Sequence, residues 1–94
     1  MNQNKRTEKR HPFQKECILR SNGFGMIKCK TVDASSMGVG VLINGTLPIQ
    51  NGDLMSVDIE YIFYHSEAII QWIKHDYNIN ATRVGLKVSN CLIN

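Results

Sequence analysis

No apolar run in this sequence approaches the ~20 residues a helix needs to cross a bilayer. The N-terminus, Met-Asn-Gln-Asn followed by charges, is not a secretory signal. A cytoplasmic location is therefore expected. Cysteine is scarce: Cys17, Cys29 and Cys91 are odd in number and share no C-x-x-C spacing, which argues against a disulfide framework or a zinc site. His11, His65 and His75 are scattered, with no second ligand at helical or hairpin spacing, so no metal is expected. Helical periodicity is missing as well. There is no nucleophile–base pair, no paired carboxylates and no phosphate-cradling loop ahead of a helix, so no catalytic residue is assigned and an enzyme is not expected. The aromatic residues do not cluster as the stacking platforms of single-strand nucleic-acid binders do.

What is present is one domain's worth of short strands. Ninety-four residues leave no room for a second core, and a chain of this size buries roughly 60–68% of its unfolded surface. Segments 17–20, 26–32, 38–43, 54–63, 67–75 and 83–88 read as strands separated by turn signals. Ile27, Cys29 and Thr31 alternate with Lys28 and Lys30, and Val39, Val41 and Ile43 with Gly38 and Gly40. Val57, Ile59, Tyr61 and Phe63 alternate with Ser56, Asp58 and Glu60, and Val84, Leu86 and Val88 with Arg83, Gly85 and Lys87. Segment 67–75 is apolar on both faces, as a central strand or a short helix would be. Asn22-Gly23 signals a hairpin, and Tyr64-His65-Ser66 reads as a turn. Six strands of period 2 predict an antiparallel barrel or sandwich, and a closed barrel removes edges that so short a chain cannot cover.

Charge is unevenly placed. Residues 1–20 hold Lys5, Arg6, Lys9, Arg10, Lys15 and Arg20 against Glu8 and Glu16, whereas the rest of the chain is one charge negative. A basic arm on a near-neutral body points to a phosphate-bearing partner more than to general nucleic-acid coating. Arg6 and Arg10 are planar, permanently charged forks that can pair with phosphate or the guanine edge, or stack on a base. Asp33-Ala34-Ser35-Ser36-Met37-Gly38 breaks the strand pattern and reads as a polar turn, with Gly38 free to adopt positive φ. Turned outward, its Asp can accept from an amino and imino N–H pair such as guanine offers. Alone, the first run is a solvated tail and the second a plain turn.

In order and 23 residues apart, the two resemble the signature of the PilZ domain, a bacterial receptor module for the second messenger cyclic di-GMP: RxxxR in an N-terminal arm, then [D/N]xSxxG. Leu47, Pro48, Gly52 and Asp53 before a strand, Trp72 on a later strand and a closing Arg83-Val84-Gly85-Leu86 extend the likeness over residues 5–88. The resemblance implies an all-β fold, a six-stranded antiparallel PilZ-type β-barrel over residues 14–94 preceded by a flexible ligand-binding arm over residues 1–13. It implies a non-catalytic cyclic di-GMP receptor needing no cofactor, signalling to a protein partner in motility, pilus, polysaccharide or regulatory machinery as the arm orders over the ligand. Carried over by position, Arg6 and Arg10 contact phosphate and guanine, while Asp33, Ser35 and Gly38 line the guanine pocket. In the family a long basic residue before the first arginine accompanies an intercalated ligand dimer, so Lys5 implies two cyclic di-GMP molecules per domain. Many relatives carry a C-terminal helix that six residues after Val88 cannot supply, which implies a homodimer covering the barrel end. Two further readings stay open: a PilZ-like protein-interaction adaptor that binds no ligand, and a small single-strand nucleic-acid-binding barrel.

Overall fold

Alternating apolar and polar side chains can bury one face of a strand and leave the other in water, and a sheet with one apolar face is satisfied by curling that face inward. The computed structural model, which describes residues 10–36, 38–60 and 63–89 apart from the side chains of 63–65, shows this solution. Among the described residues seven strands follow one another: β1 (His11–Pro12), β2 (Glu16–Ser21), β3 (Gly25–Ser35), β4 (Gly38–Asn44), β5 (Leu54–Ile59), β6 (Phe63–Asp76) and β7 (Ala81–Val88). Every pairing is antiparallel. Strands β2, β3, β4, β7, β6 and β5 close on themselves as a six-stranded barrel, and β1 lies outside the ring against the end of β3. Among the described residues no helix is long and apolar enough to cross a membrane.

The interior is filled by the residues that alternation selects: Leu19 from β2, Val39, Val41 and Ile43 from β4, Val57 and Ile59 from β5, Ile70 from β6, and Val84, Leu86 and Val88 from β7. Cys17 and Cys29 face each other across β2 and β3 as buried free thiols. Phe13, Phe24, Leu47 and Ile49 are partly buried against this core. Among the buried polar side chains, Thr31 ties the N-terminal segment to the barrel. Thr31 accepts a hydrogen bond from the Lys15 amide and donates one to the Phe13 carbonyl, while its own amide donates to the Lys15 carbonyl. These bonds, with one from the Phe13 amide to the Val32 carbonyl, lay residues 13–15 along β3 and carry the chain from β1 to β2.

Two boundaries differ from the sequence reading. Segment 64–66 is strand, because β6 begins at Phe63 and β5 has already ended at Ile59; Tyr61 lies outside the described residues. Strand β3 also runs on through Asp33, Ala34 and Ser35, so the chain reverses only between Ser35 and Gly38. The Asn22-Gly23 hairpin forms, with the left-handed backbone placed at Gly25 (φ 82°), which closes a three-residue loop opposite Ser21.

Besides an irregularity where β5 meets the start of β6, two register shifts decide which side chains of β3 and of the middle of β6 reach the outer wall. Val32 is an extra residue between the Thr31–Val41 and Asp33–Gly40 pairs, and Gln71 is one between Ile70–Leu86 and Trp72–Gly85. Each bulge inverts the alternation beyond it. Thr31 points inward, yet so does Ala34, which leaves Asp33 outward; Ile70 points inward, and Trp72 stands outside. The second bulge explains why segment 67–75 reads as apolar on both faces.

Candidate functional site

Strand β1 continues the edge of β3 that β2 leaves free, pairing His11 with Ala34 and Pro12 with Asp33. This register delivers Arg10 to the outer face of β3. Its Nη2 donates to Oδ1 of Asp33 at 2.7 Å. The two halves of the motif, separated by 23 residues, therefore meet directly. The side chains of both residues are 34% exposed, so water and a ligand can reach the pair, and an ion pair of this kind is worth only ~0.2–1 kcal/mol. It is a contact that a stronger partner can exchange.

Ser35 shares the face of Asp33 by alternation but is 1% exposed, paired with Gly38 across the hairpin. Gly38 is needed for packing: a Cβ there would stand 2.0 Å from the Leu86 carbonyl oxygen and 3.2 Å from the Lys87 Cα, so only glycine lets β4 come this close to β7. Lys5 and Arg6, the remaining expected site residues, lie outside the described residues, as does Met37.

A row of paired residues crosses the outer wall at this point. Asp33 on β3 pairs with Gly40 on β4, Gly40 with Gly85 on β7, and Gly85 with Trp72 on β6. The two glycines form a floor without side chains, and the outer residues lean onto it. A Cβ on Gly40 would lie 2.6 Å from Asp33 Oδ1; one on Gly85 would lie 2.2 Å from Trp72 Nε1. A carboxylate thus rests over one glycine and an indole over its neighbour, next to an arginine. Chemically this combines an acceptor for paired N–H donors, a cation for phosphate and an aromatic face 41% exposed for stacking. Sequence reasoning placed Trp72 on a strand without a role. The only hint of its position was the pair of glycines facing each other from separate strands, since the bulge that turns it outward has no residue signature.

Elsewhere, Arg20 and Asp58 form a second ion pair on the wall made by β2 and β5. Among the described residues there is no group of three or more His, Cys, Asp or Glu that could hold a metal.

Comparison with known proteins bears on this arrangement. Among solved structures, the Bacillus subtilis inhibitor of motility (MotI/DgrA) superposes with a TM-score of 0.73 at 18% identity, over 94% of this chain and 44% of that one. The PilZ domain with c-di-GMP of YcgR from Escherichia coli superposes with a TM-score of 0.72 at 16% identity, over 93% of this chain and 79% of that one. At such identities the likeness is one of fold, and the chain spans less than half the length of the first. No curated protein matches in sequence. The family model for the PilZ domain matches residues 4–91, from the basic run to beyond the last barrel strand, and the chain belongs to the PilZ domain family.

Proposed function

We propose that this chain is a non-catalytic receptor for cyclic di-GMP that passes ligand binding on to a protein partner in the cytoplasm. The observation that carries the reading is the contact of Arg10 with Asp33, which sets a guanidinium and a carboxylate side by side on an accessible wall. Asp33 accepts from the guanine N–H edge, and Arg10, with Arg6, engages phosphate and the base plane. Ser35 contributes from beneath, and Gly38 keeps the β3–β4 reversal close to β7. The segment bearing Lys5, Arg6 and Arg10 closes on the ligand, and its change of position is what the partner reads. Lys5 favours two ligand molecules per domain. One structural relative is named an inhibitor of motility, which favours motility machinery among the candidate partners.

Calorimetric titration with cyclic di-GMP, beside GTP and other cyclic dinucleotides, tests the reading. The wild-type chain should bind at tens of micromolar or tighter, more weakly as salt rises because phosphate neutralisation contributes. Arg10→Ala or Arg6→Ala should abolish binding while the strand signal in circular dichroism is kept. A wild-type chain that takes up no cyclic di-GMP in that range refutes the proposal.

A further inference from the structure

Strand β6 outruns the strand beside it. It pairs with β5 as far as Ile69, opposite Leu54. Two backbone bonds extend the match by one residue, as Ile70 donates to the Asp53 carbonyl and accepts from the Gly52 amide. There its neighbour leaves. Residues 50–53 form a tight turn closed by the Asp53 amide on the Gln50 carbonyl, with Gly52 in the left-handed region at φ 91°. Strand β6 runs on to Asp76, with β7 as its only partner among the described residues. Residues 71–76 therefore keep one side open, an edge of roughly 20 Å.

An open edge is a row of unpaired N–H and C=O groups, which folds usually guard with charges, proline or bulges. The Gln71 bulge lies at the start of this edge, and between it and Asp76 the only charged side chain is Lys74. The surroundings are apolar: Ile69 and Trp72 on β6, Leu54 on β5, and Tyr77 and Ile79 at the β6–β7 tip are all exposed. Leu54 also borders a hollow of about 260 Å³ that Phe24, Pro48, Ile49 and Met55 help to line. Charge narrows what can lie there. Lys74 stands opposite Arg83, and like charges facing each other across an antiparallel pair weaken it. Neither enters the described ion pairs, and the carboxylate of Asp76 accepts from the Asn78 amide. The edge is short of negative charge.

We propose that residues 71–76 of β6 are the docking edge for a protein partner, which adds an extended segment there as a further strand, apolar beside Trp72 and acidic beside Lys74. Main-chain pairing supplies the affinity of such an added strand, and its alternate side chains supply the specificity. Trp72 and Lys74, two residues apart, share the outer face, so the partner's apolar and acidic residues are likewise two apart. The acid turns the repulsion between Lys74 and Arg83 into shared attraction. Leu54 and its hollow give the end of the segment an apolar seat. Trp72 is also the last residue of the Asp33–Gly40–Gly85–Trp72 row, so the added strand lies about 4.8 Å from the end of that row. The inference deepens the receptor reading by giving its partner a place beside the ligand wall, but the edge itself does not depend on cyclic di-GMP.

Hydrogen exchange followed by NMR on the full chain, without cyclic di-GMP, tests this. The amides of residues 71–76 that β7 leaves unbonded should exchange freely, at rates independent of chain concentration. Protection in the dilute chain, or protection that grows with concentration as a second copy would cause, overturns the proposal. The probe is a short capped peptide of valines with one central glutamate. At about ten times its dissociation constant it should slow these amides about tenfold and shift them together with Leu54. The same peptide with lysine for glutamate should bind about tenfold more weakly, an attraction exchanged for a repulsion, and Lys74→Glu should reverse the preference. N-methylation of the peptide's alternate amides should abolish binding, since an added strand needs them. No binding of the glutamate peptide, equal binding of the N-methylated one, or a preference unmoved by Lys74→Glu overturns strand addition at this edge and leaves the Asp33 site standing. A chain that takes the peptide but no dinucleotide keeps the edge and loses the receptor reading.

Discussion

Gly40→Ala is a small change with a calculable effect at the site. Its Cβ would stand 2.6 Å from Asp33 Oδ1, where ordinary contact begins at 3.4 Å. The atom it meets is the end of a flexible side chain, so the carboxylate retreats by roughly 0.8 Å and the strands stay where they are. That same oxygen accepts from Arg10 at 2.7 Å, and a retreat directed away from Arg10 lengthens the contact to about 3.5 Å, past the normal hydrogen-bond range. Stability should hardly change. The lost pair, one-third exposed, removes ~0.2–1 kcal/mol. Gly40 is not among the glycines at positive φ, so alanine returns ~0.4–1 kcal/mol by restricting the unfolded chain. A net effect within ~1 kcal/mol shifts the melting temperature by no more than about 8 °C for a domain of this size. Ligand binding should suffer far more, because a hydrogen bond to a charged group contributes ~1.5–3 kcal/mol, roughly a tenfold to hundredfold loss of affinity. Thermal melts and calorimetry with cyclic di-GMP measure the two quantities on the same sample. Unchanged affinity in Gly40→Ala would refute the placement of Asp33 in the site. A collapsed melting transition would show that Gly40 serves the fold instead.

Gly38→Ala should behave in the opposite way: its methyl meets the Leu86 backbone at 2.0 Å, which cannot step aside, so a loss of ~1–3 kcal/mol or more in chemical denaturation is expected. Trp72 is the sole tryptophan, so its emission should change on cyclic di-GMP addition, and Gly85→Ala, which displaces the indole, should shift the unliganded spectrum; a spectrum insensitive to both would place the indole outside the site. The Cys17 thiol is pushed far above the ordinary value of 9.0, first by its hydrogen bond to Cys29, then by burial and by the nearby charges of Cys29 and Asp58. Because the folded state holds this proton more tightly than the unfolded state, the stabilisation is complete below pH ~9 and declines above it, by at most ~1.4 kcal/mol per pH unit. Denaturation midpoints followed upward from pH 8 should show this slope, and Cys17→Val should flatten it.

The barrel was legible because four strands alternate without interruption. Val39, Val41 and Ile43, or Val84, Leu86 and Val88, can face only one way, and Asn22-Gly23 has few uses besides a hairpin. The motif halves were legible as chemistry, and the structure brings Arg10 to Asp33. What was hidden depends on contacts distant in sequence. An extra residue at Val32 or Gln71 looks like any other valine or glutamine, yet each bulge decides whether the next side chains line the core or the wall. Gly38 read as turn chemistry; its neighbour is a carbonyl on β7, 48 residues further on, which no local pattern reveals. The turn expected at 64–66 failed for a related reason, since pairing with β5 extends β6 through polar residues.

The Asp33–Gly40–Gly85–Trp72 row spans four strands that adjoin only in the closed barrel. A molecule lying across it recognises the assembled wall and has nothing to hold in the unravelled chain. Its binding then shifts the folding equilibrium by mass action, by ~2.7 kcal/mol at a ligand concentration a hundred times the dissociation constant. For a short chain of marginal stability that is a large share of the whole. Opening of the chain to proteases falls in the same proportion. Under the proposed function, the survival time of the chain in the cell would therefore follow cyclic di-GMP, and abundance would become a second, slower record of the signal.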